Sequence, residues 1–499
     1  MLFAFALAAL MAHLTAITQY GYFRDELYYL ACAQHPAWGY VDQPPLSIAV
    51  LGVVRHLLGD SLLAIRIVPA LAGAAVVYLT GRLARTLGGG RAAQALAALA
   101  ALLAPAYLGL CQTFSMNSLD LLLWALAFTL LLPAVERGRA RDWLALGAVL
   151  GLGLLNKISM LWLGGGIAAG LLLTQHRAAL KTRGPWFAAA VALALFLPHI
   201  AWQVAHGWPT LEFMRNATAE KMVPVRFAAF FSNQVLVMGP GTAPFWLTGL
   251  ALCFLRPAGR RGRIFGIAYI AIFVFLAVSG RSRATYLAPA YVPLLALGGL
   301  AVEGLARRPR LRWFPAAAGA WIAALALPLV PLALPVLPVE RFVAYSRAIG
   351  ASSRSEEHQA LGELPQHYAD MFGWEEMARE VAAVYRALPP EDRARCGIFA
   401  ENYGEAGAID FFGPRLGLPP AMSGHNSYWL WGPGRADGSV IIILGGTLED
   451  HRPNFERVER VGLVRCEHCM PYERDLLVFV GHGLKTPLAQ LWPRLKLYI

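Results

Sequence analysis

Residues 20–46 read YGYFRDELYYLACAQHPAWGYVDQPPL and follow the first apolar segment of the chain. This stretch places Arg24, Asp25, Glu26 and Asp42 among seven aromatic side chains. It is too polar to lie in lipid, where charged side chains are costly, and too aromatic for an ordinary linker. It therefore predicts a loop at the membrane surface with Asp25 as its chemical centre.

The composition outside this loop is that of a membrane protein. The 499 residues are 57% hydrophobic and 15% charged, and the mean hydropathy is +0.49. These values exclude an ordinary soluble protein of this length. The net charge of +12 comes mostly from Arg and Lys in short gaps between apolar runs. We interpret it as a topology signal and expect no nucleic-acid partner.

Apolar segments of spanning length, or near it, recur along the first 335 residues, and about eleven transmembrane helices are predicted. They cover approximately residues 1–20, 61–82, 92–110, 118–135, 143–156, 157–173, 186–204, 235–255, 264–280, 286–304 and 313–335.

Charge bias sets the predicted topology. With a cytoplasmic N-terminus, loops rich in Arg and Lys lie inside and alternate with poorer outer loops. This alternation favours two short helices at 143–156 and 157–173, although one tilted or broken helix stays an alternative that would reverse everything downstream. The outer face then holds residues 20–60, residues 205–233 and everything after 335. Residues 46–58 are too short and too interrupted to span, which predicts an interfacial amphipathic helix.

The composition changes at about residue 336, after a proline-rich end to the last apolar run. Acidic residues, turns and strand-like runs such as 440–444 and 476–480 follow, together with a helical pattern at 375–387. We predict a helical membrane domain at 1–335 and an extracytoplasmic soluble domain at 336–499, of α/β or α+β class.

Four acids are candidate catalytic residues. Asp25 and Glu26 are adjacent at the membrane edge, where such a pair is costly unless the site uses it, although a solvated helix end is the alternative. Asp42 precedes Pro44 and Pro45, which hold the chain extended. Asp120 begins the fourth predicted span on the same outer face, where an acid also complements the helix dipole.

Cations on the outer face are candidate substrate contacts. Arg281, Arg283 and Tyr286 precede the tenth predicted span, where outer arginines oppose the charge bias and suit a phosphate clamp. Lys157 lies between two short helices. Snorkelling to the interface is the alternative for these cations. Arg24 and Gln43, which adjoin the acids of the first loop, are further candidate substrate contacts.

The sequence contains several acids but no P-loop, nucleophile elbow, dinucleotide fingerprint or HExxH motif. This pattern favours general base catalysis on a hydroxyl or amine supplied by a substrate. A polytopic transporter and a non-catalytic membrane scaffold are the alternatives. No metal site is predicted, although metal dependence stays open because carboxylates near histidines can hold a divalent ion.

The motifs RDE, YVDQPPL and SLD, in this order, resemble those of the family 39 glycosyltransferases, which have the membrane-embedded GT-C fold. These include protein O-mannosyltransferases and lipid A aminoarabinose transferases. The resemblance covers residues 1 to about 335. It implies a polyprenyl-phosphate sugar donor, an outer-face active site, inversion at the anomeric carbon, and a multi-pass protein of the bacterial inner membrane. The acceptor is then a lipid, a glycan or a protein.

The resemblance also implies roles for single residues. Asp25 would activate the acceptor, with Glu26 as its neighbour, Asp42 as the acid of the diproline turn and Asp120 as the later acid. Arg283 and Tyr286, in RATYLAP, resemble the basic residue and tyrosine that face the donor phosphate. Many members of the family have lysine at the position of Gln43, so a positive charge is missing there.

Overall fold

Helices form nearly all of the first 348 residues, and a mixed sheet with short helices forms the end of the chain. The structure is a computed structural model, and it describes residues 1–351 and 359–499; residues 352–358 of the predicted C-terminal domain lie outside the described residues. The α-helices of the first part are α1 Leu2–Ala16, α2 Arg24–Gln34, α3 Leu46–Leu58, α4 Leu62–Thr86, α5 Arg91–Leu102, α6 Pro105–Leu110, α7 Met116–Arg137, α8 Ala140–Asn156, α9 Met160–Leu172, α10 Gly184–Ala205, α11 Pro209–Asn216, α12 Phe227–Met238, α13 Ala243–Leu255, α14 Arg263–Ser279, α15 Val292–Ala306, α16 Phe314–Ala326, α17 Val330–Ala333 and α18 Val339–Ala348.

Shorter elements connect several of these helices. A π-helical turn spans Ala217–Lys221, and 3-10 helices span Gln175–Lys181, Pro240–Thr242, Pro257–Gly262, Ala284–Tyr291, Pro309–Leu311 and Leu327–Leu329.

Each of the eleven predicted segments contains a helix, but not every helix is long enough to span a membrane. Within residues 1–351 and 359–499, six helices are long and apolar enough, namely Leu62–Thr86, Met116–Arg137, Gly184–Ala205, Pro257–Ser279, Ala284–Ala306 and Pro309–Ala333. The helices Phe227–Met238 and Pro240–Leu255 meet at 98° and would make a seventh span if they cross as one unit. The protein is thus a polytopic helical membrane protein, and the count of eleven stays a prediction.

The predicted break after residue 156 is present, since α8 ends at Asn156 and α9 begins at Met160. The predicted helix at residues 46–58 coincides with α3. Its Ile48 and Leu51 are buried, whereas Val53 and Leu57 are exposed. A helix with one buried face and one exposed face suits a position at the membrane interface.

The C-terminal part contains a five-stranded sheet in the order β2-β1-β3-β5-β4. Strands β1 Cys396–Phe399, β2 Ala421–Met422 and β3 Val440–Leu444 are parallel, while β5 Leu476–Leu484 runs antiparallel to β3 and to β4 Phe455–Val464. The helices here are α19 Gln366–Ala369, α20 Trp374–Ala387, α21 Pro390–Arg395, α22 Tyr403–Phe412, α23 Ser427–Trp431, α24 Leu448–His451 and α25 Leu488–Leu491, with 3-10 helices Gly413–Leu416 and Trp492–Leu495. The predicted mixture of helices and strands is confirmed.

The sheet domain shares a hydrophobic core with the first loop. Buried side chains of α2, including Leu27 and Leu30, belong to the same cluster as Val381 of α20 and Ile442 of the central strand. Helix α22 packs closely on α2, because the residues that face α2, Gly404 and Gly407, have no side chains. A Cβ atom at Gly407 would lie 2.9 Å from the carbonyl carbon of Leu27. The two parts of the chain are therefore packed backbone against backbone at this point.

Candidate active site

A cavity of about 690 Å³ opens between the first loop, the π turn, the segment before α15 and the C-terminal domain. This volume lies within the range of small-molecule binding sites. Six of the ten residues predicted from the sequence line it, namely Arg24, Asp25, Asp42, Lys157, Arg283 and Tyr286. Asp25 and Arg283 thus face one hollow although they are far apart in the sequence.

Asp25 lies in the first turn of α2, where a negative charge complements the helix dipole. Its Oδ1 atom accepts a hydrogen bond of 2.9 Å from the Tyr403 hydroxyl and lies 3.6 Å from Nε of Arg24. The side chain remains 36% exposed. Asp25 is therefore held in place yet accessible from the cavity, as a base requires.

Asp42 is a second carboxylate in the same cavity. Its Oδ1 atom accepts a hydrogen bond of 2.8 Å from the Tyr28 hydroxyl, which in turn lies 2.7 Å from Oγ of Ser427. Burial raises the pKa of Asp42 to about 6, and the nearby charge of Asp25 adds to this rise. The two acids are thus in different environments, and both contact side chains connected to the C-terminal domain.

Glu26 is fully buried and does not line the cavity. It forms an ion pair of 2.7 Å with Arg66, whose side chain is also fully buried, and accepts hydrogen bonds from the amides of Phe23 and Phe114. Arg66 also donates to the carbonyl of Gly21. This network fixes the start of α2 and therefore the position of Asp25. Gln43 is fully buried as well and lies outside the cavity lining.

The positive side of the cavity centres on Lys157, in the break between α8 and α9. Its Nζ donates a hydrogen bond of 2.7 Å to Asn117 and lies 5.2 Å from the ring centre of Tyr286. Asp120 is buried outside the cavity lining, 3.9 Å from Nζ, and accepts a hydrogen bond from Ser159. Asp120 therefore contacts the lysine rather than the cavity.

Arg281 and Arg283 have different surroundings. Arg283 lines the cavity, whereas Arg281 donates to the carbonyls of Thr218 and Ala219 in the π turn. Lys221, the last residue of that turn, lines the cavity and lowers the pKa of Asp42 through its charge. Arg281 thus braces the turn that carries Lys221.

Lys221, Asp370 and Tyr403 also line the cavity and were not predicted from the sequence. Asp370 is buried, and its carboxylate lies 3.7 Å from Nη2 of Arg24. The motif NYGEAG at 402–407 was a usable signal, because a tyrosine followed by two glycines suits close packing against another backbone.

No cluster of three or more His, Cys, Asp or Glu side chains is arranged to hold a metal ion within residues 1–351 and 359–499. All six cysteines, including Cys466 and Cys469, are free thiols.

Comparison with known proteins agrees with this architecture. Residues 42–202 match the model of the dolichyl-phosphate-mannose-protein mannosyltransferase family. No curated protein sequence matches the chain. The crystal structure of ArnT from Cupriavidus metallidurans in the apo state has a TM-score of 0.63 at 17% identity, covering 96% of this chain and 97% of that one.

Two further structures have a similar fold. ArnT from C. metallidurans bound to undecaprenyl phosphate has a TM-score of 0.62 at 16% identity, again over 96% and 97% of the two chains. Arabinofuranosyltransferase AftD from Mycobacteria has a TM-score of 0.54 at 14% identity, covering 97% of this chain and 41% of that one. The chain therefore has the GT-C fold of these membrane glycosyltransferase structures, and its residues 42–202 are similar to the dolichyl-phosphate-mannose-protein mannosyltransferase family.

Proposed function

We propose that this protein transfers a sugar from a polyprenyl-phosphate donor to a hydroxyl or amine of a lipid, glycan or protein acceptor. The observation that carries the proposal is the convergence of Asp25 with Lys157 and Arg283 on one cavity. A carboxylate base and a cationic phosphate site are the two parts that such a transfer needs. The fold shared with an undecaprenyl-phosphate-bound ArnT supports a donor of this chemical class.

In the proposed reaction the donor phosphate lies near Lys157, Arg283 and Tyr286. Asp25 takes the proton of the acceptor, and the freed oxygen or nitrogen bonds to the anomeric carbon. The bond between that carbon and the phosphate oxygen breaks, and polyprenyl phosphate leaves with the electron pair. Attack from the face opposite the phosphate inverts the anomeric centre.

The charges around the cavity fit these steps. Lysine and arginine neutralise the charge that develops on the leaving phosphate, so no strong general acid is required. Lys221 supplies a further cation beside Asp42. This lysine offsets the missing charge at Gln43, and we include it in the donor site. Glu26 and Asp120 act as supports for Asp25 and Lys157.

The predicted topology completes the proposal. We place the active site and the domain at 336–499 on the extracytoplasmic face of a bacterial inner membrane, because the loops with the most Arg and Lys then lie in the cytoplasm. The boundary at about residue 336 remains part of this proposal.

The decisive experiment is a transfer assay on the purified full-length protein. Undecaprenyl-phosphate monosaccharides are offered with candidate acceptors, and release of undecaprenyl phosphate is measured. We expect Asp25→Asn to lower the rate by about 10²- to 10⁴-fold, the usual contribution of a general base.

Asp60→Asn is the matched control, because Asp60 follows the same loop, is similarly exposed and lies outside the cavity lining. Near wild-type transfer by Asp25→Asn would exclude the assigned base. A transporter would move a substrate without releasing undecaprenyl phosphate, and a scaffold would tolerate the loss of Asp25.

A further inference from the structure

Helix α22 of the C-terminal part reaches the carboxylate that we assign as the base. Tyr403, its first residue, is buried, and its hydroxyl lies 2.9 Å from Oδ1 of Asp25. The backbone start of α22 is fixed by Asn402, whose side-chain oxygen accepts from the amides of Gly404 and Glu405. The tyrosine thus projects from a capped helix end rather than from a mobile loop.

The close approach of α22 to α2 aims this hydroxyl. Gly407 contacts the backbone at Leu27, and Gly404 lies against the side chain of Arg24. The Tyr403 ring also packs 4.8 Å from the ring of Tyr28, with tilted planes. It also lies 4.7 Å from the ring of His425, and contacts with two rings limit where the hydroxyl can point.

Arg24 competes for the same carboxylate oxygen. Its guanidinium is held by the Tyr472 hydroxyl at 2.8 Å and by Asp370 at 3.7 Å, and it approaches Oδ1 of Asp25 only to 3.6 Å. A direct ion pair would be shorter, at about 2.7–2.9 Å, and would engage this oxygen in a charge-assisted hydrogen bond. The Tyr403 hydrogen bond occupies the oxygen that faces Arg24.

We propose that Tyr403 is a positioning residue of the transfer reaction. By donating to Oδ1 it holds Asp25 away from Arg24 and leaves the second carboxylate oxygen for the acceptor proton. The C-terminal domain thereby supplies the partner of a base that lies, like the proposed donor contacts, on the membrane helices and their loops. This inference rests on the proposed function, because it assigns the partner of the base that the function requires.

The test compares Tyr403→Phe with a matched control in the full-length protein. Tyr428→Phe is the control, because Tyr428 is also buried in the C-terminal part and donates a 2.7 Å hydrogen bond to an aspartate, Asp410, outside the cavity lining. Undecaprenyl-phosphate monosaccharides serve as the probe. We expect Tyr403→Phe to lower kcat by about tenfold and to change the donor KM by less than about twofold, since the bond acts on the base and not on donor binding.

The same assay can overturn the inference. It fails if Tyr403→Phe keeps kcat within about twofold of wild type, or if Tyr428→Phe lowers kcat equally. In the second case the loss would follow from weakened packing of the domain rather than from the position of Asp25.

A second measurement separates failure of this inference from failure of the proposed function. Thermal unfolding midpoints are compared for Tyr403→Phe, Asp25→Ala and the double variant. We expect the double variant to unfold at nearly the same temperature as the less stable single variant, because each substitution removes the same hydrogen bond. A wild-type protein that releases no undecaprenyl phosphate refutes the function, whereas additive shifts in the midpoint refute the contact between Tyr403 and Asp25.

Discussion

The wall of the cavity and the layer directly behind it contain the same kinds of charge in opposite settings. Behind the wall, Glu26 and Arg66 are fully buried, 2.7 Å apart and hydrogen-bonded to surrounding backbone. On the wall, the closest approach of Arg24 to Asp25 is 3.6 Å, and Lys157 lies 3.9 Å from Asp120, which is buried behind the wall. Adjacent acids in the chain, Asp25 and Glu26, thus belong to different regions. The tight pair fixes the start of α2, and in the proposed function the more widely spaced charges of the wall contact the donor and the acceptor.

The largest effect on stability is expected from the buried layer. Glu26→Gln leaves Arg66 charged and buried, and we expect it to cost about 3–5 kcal/mol of stability, measured as a lower thermal unfolding midpoint. Glu375→Gln is the matched control, because it removes the same charge from an exposed pair with Arg379 and should cost less than about 1 kcal/mol. Equal midpoints for the two variants would show that the buried pair contributes no more to stability than an exposed pair.

On the wall, a change in Lys157 should affect donor binding. We expect Lys157→Met to raise the donor KM by about 10- to 100-fold, the usual loss of one charge-assisted hydrogen bond to a phosphate. Lys181→Met is the control, because Lys181 is exposed and outside the cavity lining. An unchanged donor KM in Lys157→Met would show that Lys157 does not contact the donor phosphate.

The acidic side of the wall predicts a pH dependence. Asp42, with its pKa raised to about 6, loses its negative charge as the pH falls below about 6. If ionised Asp42 accepts a hydrogen bond from the acceptor, the transfer rate falls about fivefold between pH 6 and pH 5.

Stability changes in the opposite direction over the same window. The folded protein holds this proton more tightly than the unfolded chain, so the contribution of Asp42 to stability increases as the pH falls from about 6 towards the ordinary pKa near 3.8. The predicted fall in transfer rate at acidic pH is checked by measuring the pH–rate profile of Asp42→Asn. If the rate of this variant falls at the same pH and by the same factor as in the wild type, the pH dependence belongs to another group.

The smallest effect is expected from Arg281, which contacts the wall only through the π turn. We expect Arg281→Met to raise the donor KM on the order of threefold, because the turn that presents Lys221 loses hydrogen bonds worth about 1 kcal/mol. In a Lys221→Met background the same substitution should add nothing. A further rise in that background would place Arg281 itself at the donor.

Local patterns in the sequence predicted several elements closely. The helix at 46–58 and the strand at 440–444 have the predicted bounds, because Pro45 and Gly59 flank the helix and five consecutive apolar residues form the central strand. The helix predicted from 375 begins one residue earlier, at Trp374. The order of the five strands was not predictable, since the pairing of distant segments leaves no local pattern.

The candidate site was predictable only where chemistry and location coincide in the sequence. Asp25 and Arg283 stand out as charged residues beside apolar runs. Asp42 stands out as the acid before a pair of prolines, and all three residues line the cavity. Arg66 did not stand out, because it lies inside an apolar helix and its partner is 40 residues away in the chain. Tyr403 contacts Asp25 across 378 positions, which no periodicity reveals.

The contact of Gly407 with the backbone of α2 limits how the protein can be recombined. A transplanted C-terminal domain with any residue other than glycine at this position would bring a Cβ atom there, and that atom would displace α22 from Leu27. Because Tyr403 lies on the same helix, such a displacement would separate its hydroxyl from Asp25. Functional chimeras should therefore exchange residues 20–46 together with the C-terminal domain, as a single inherited unit.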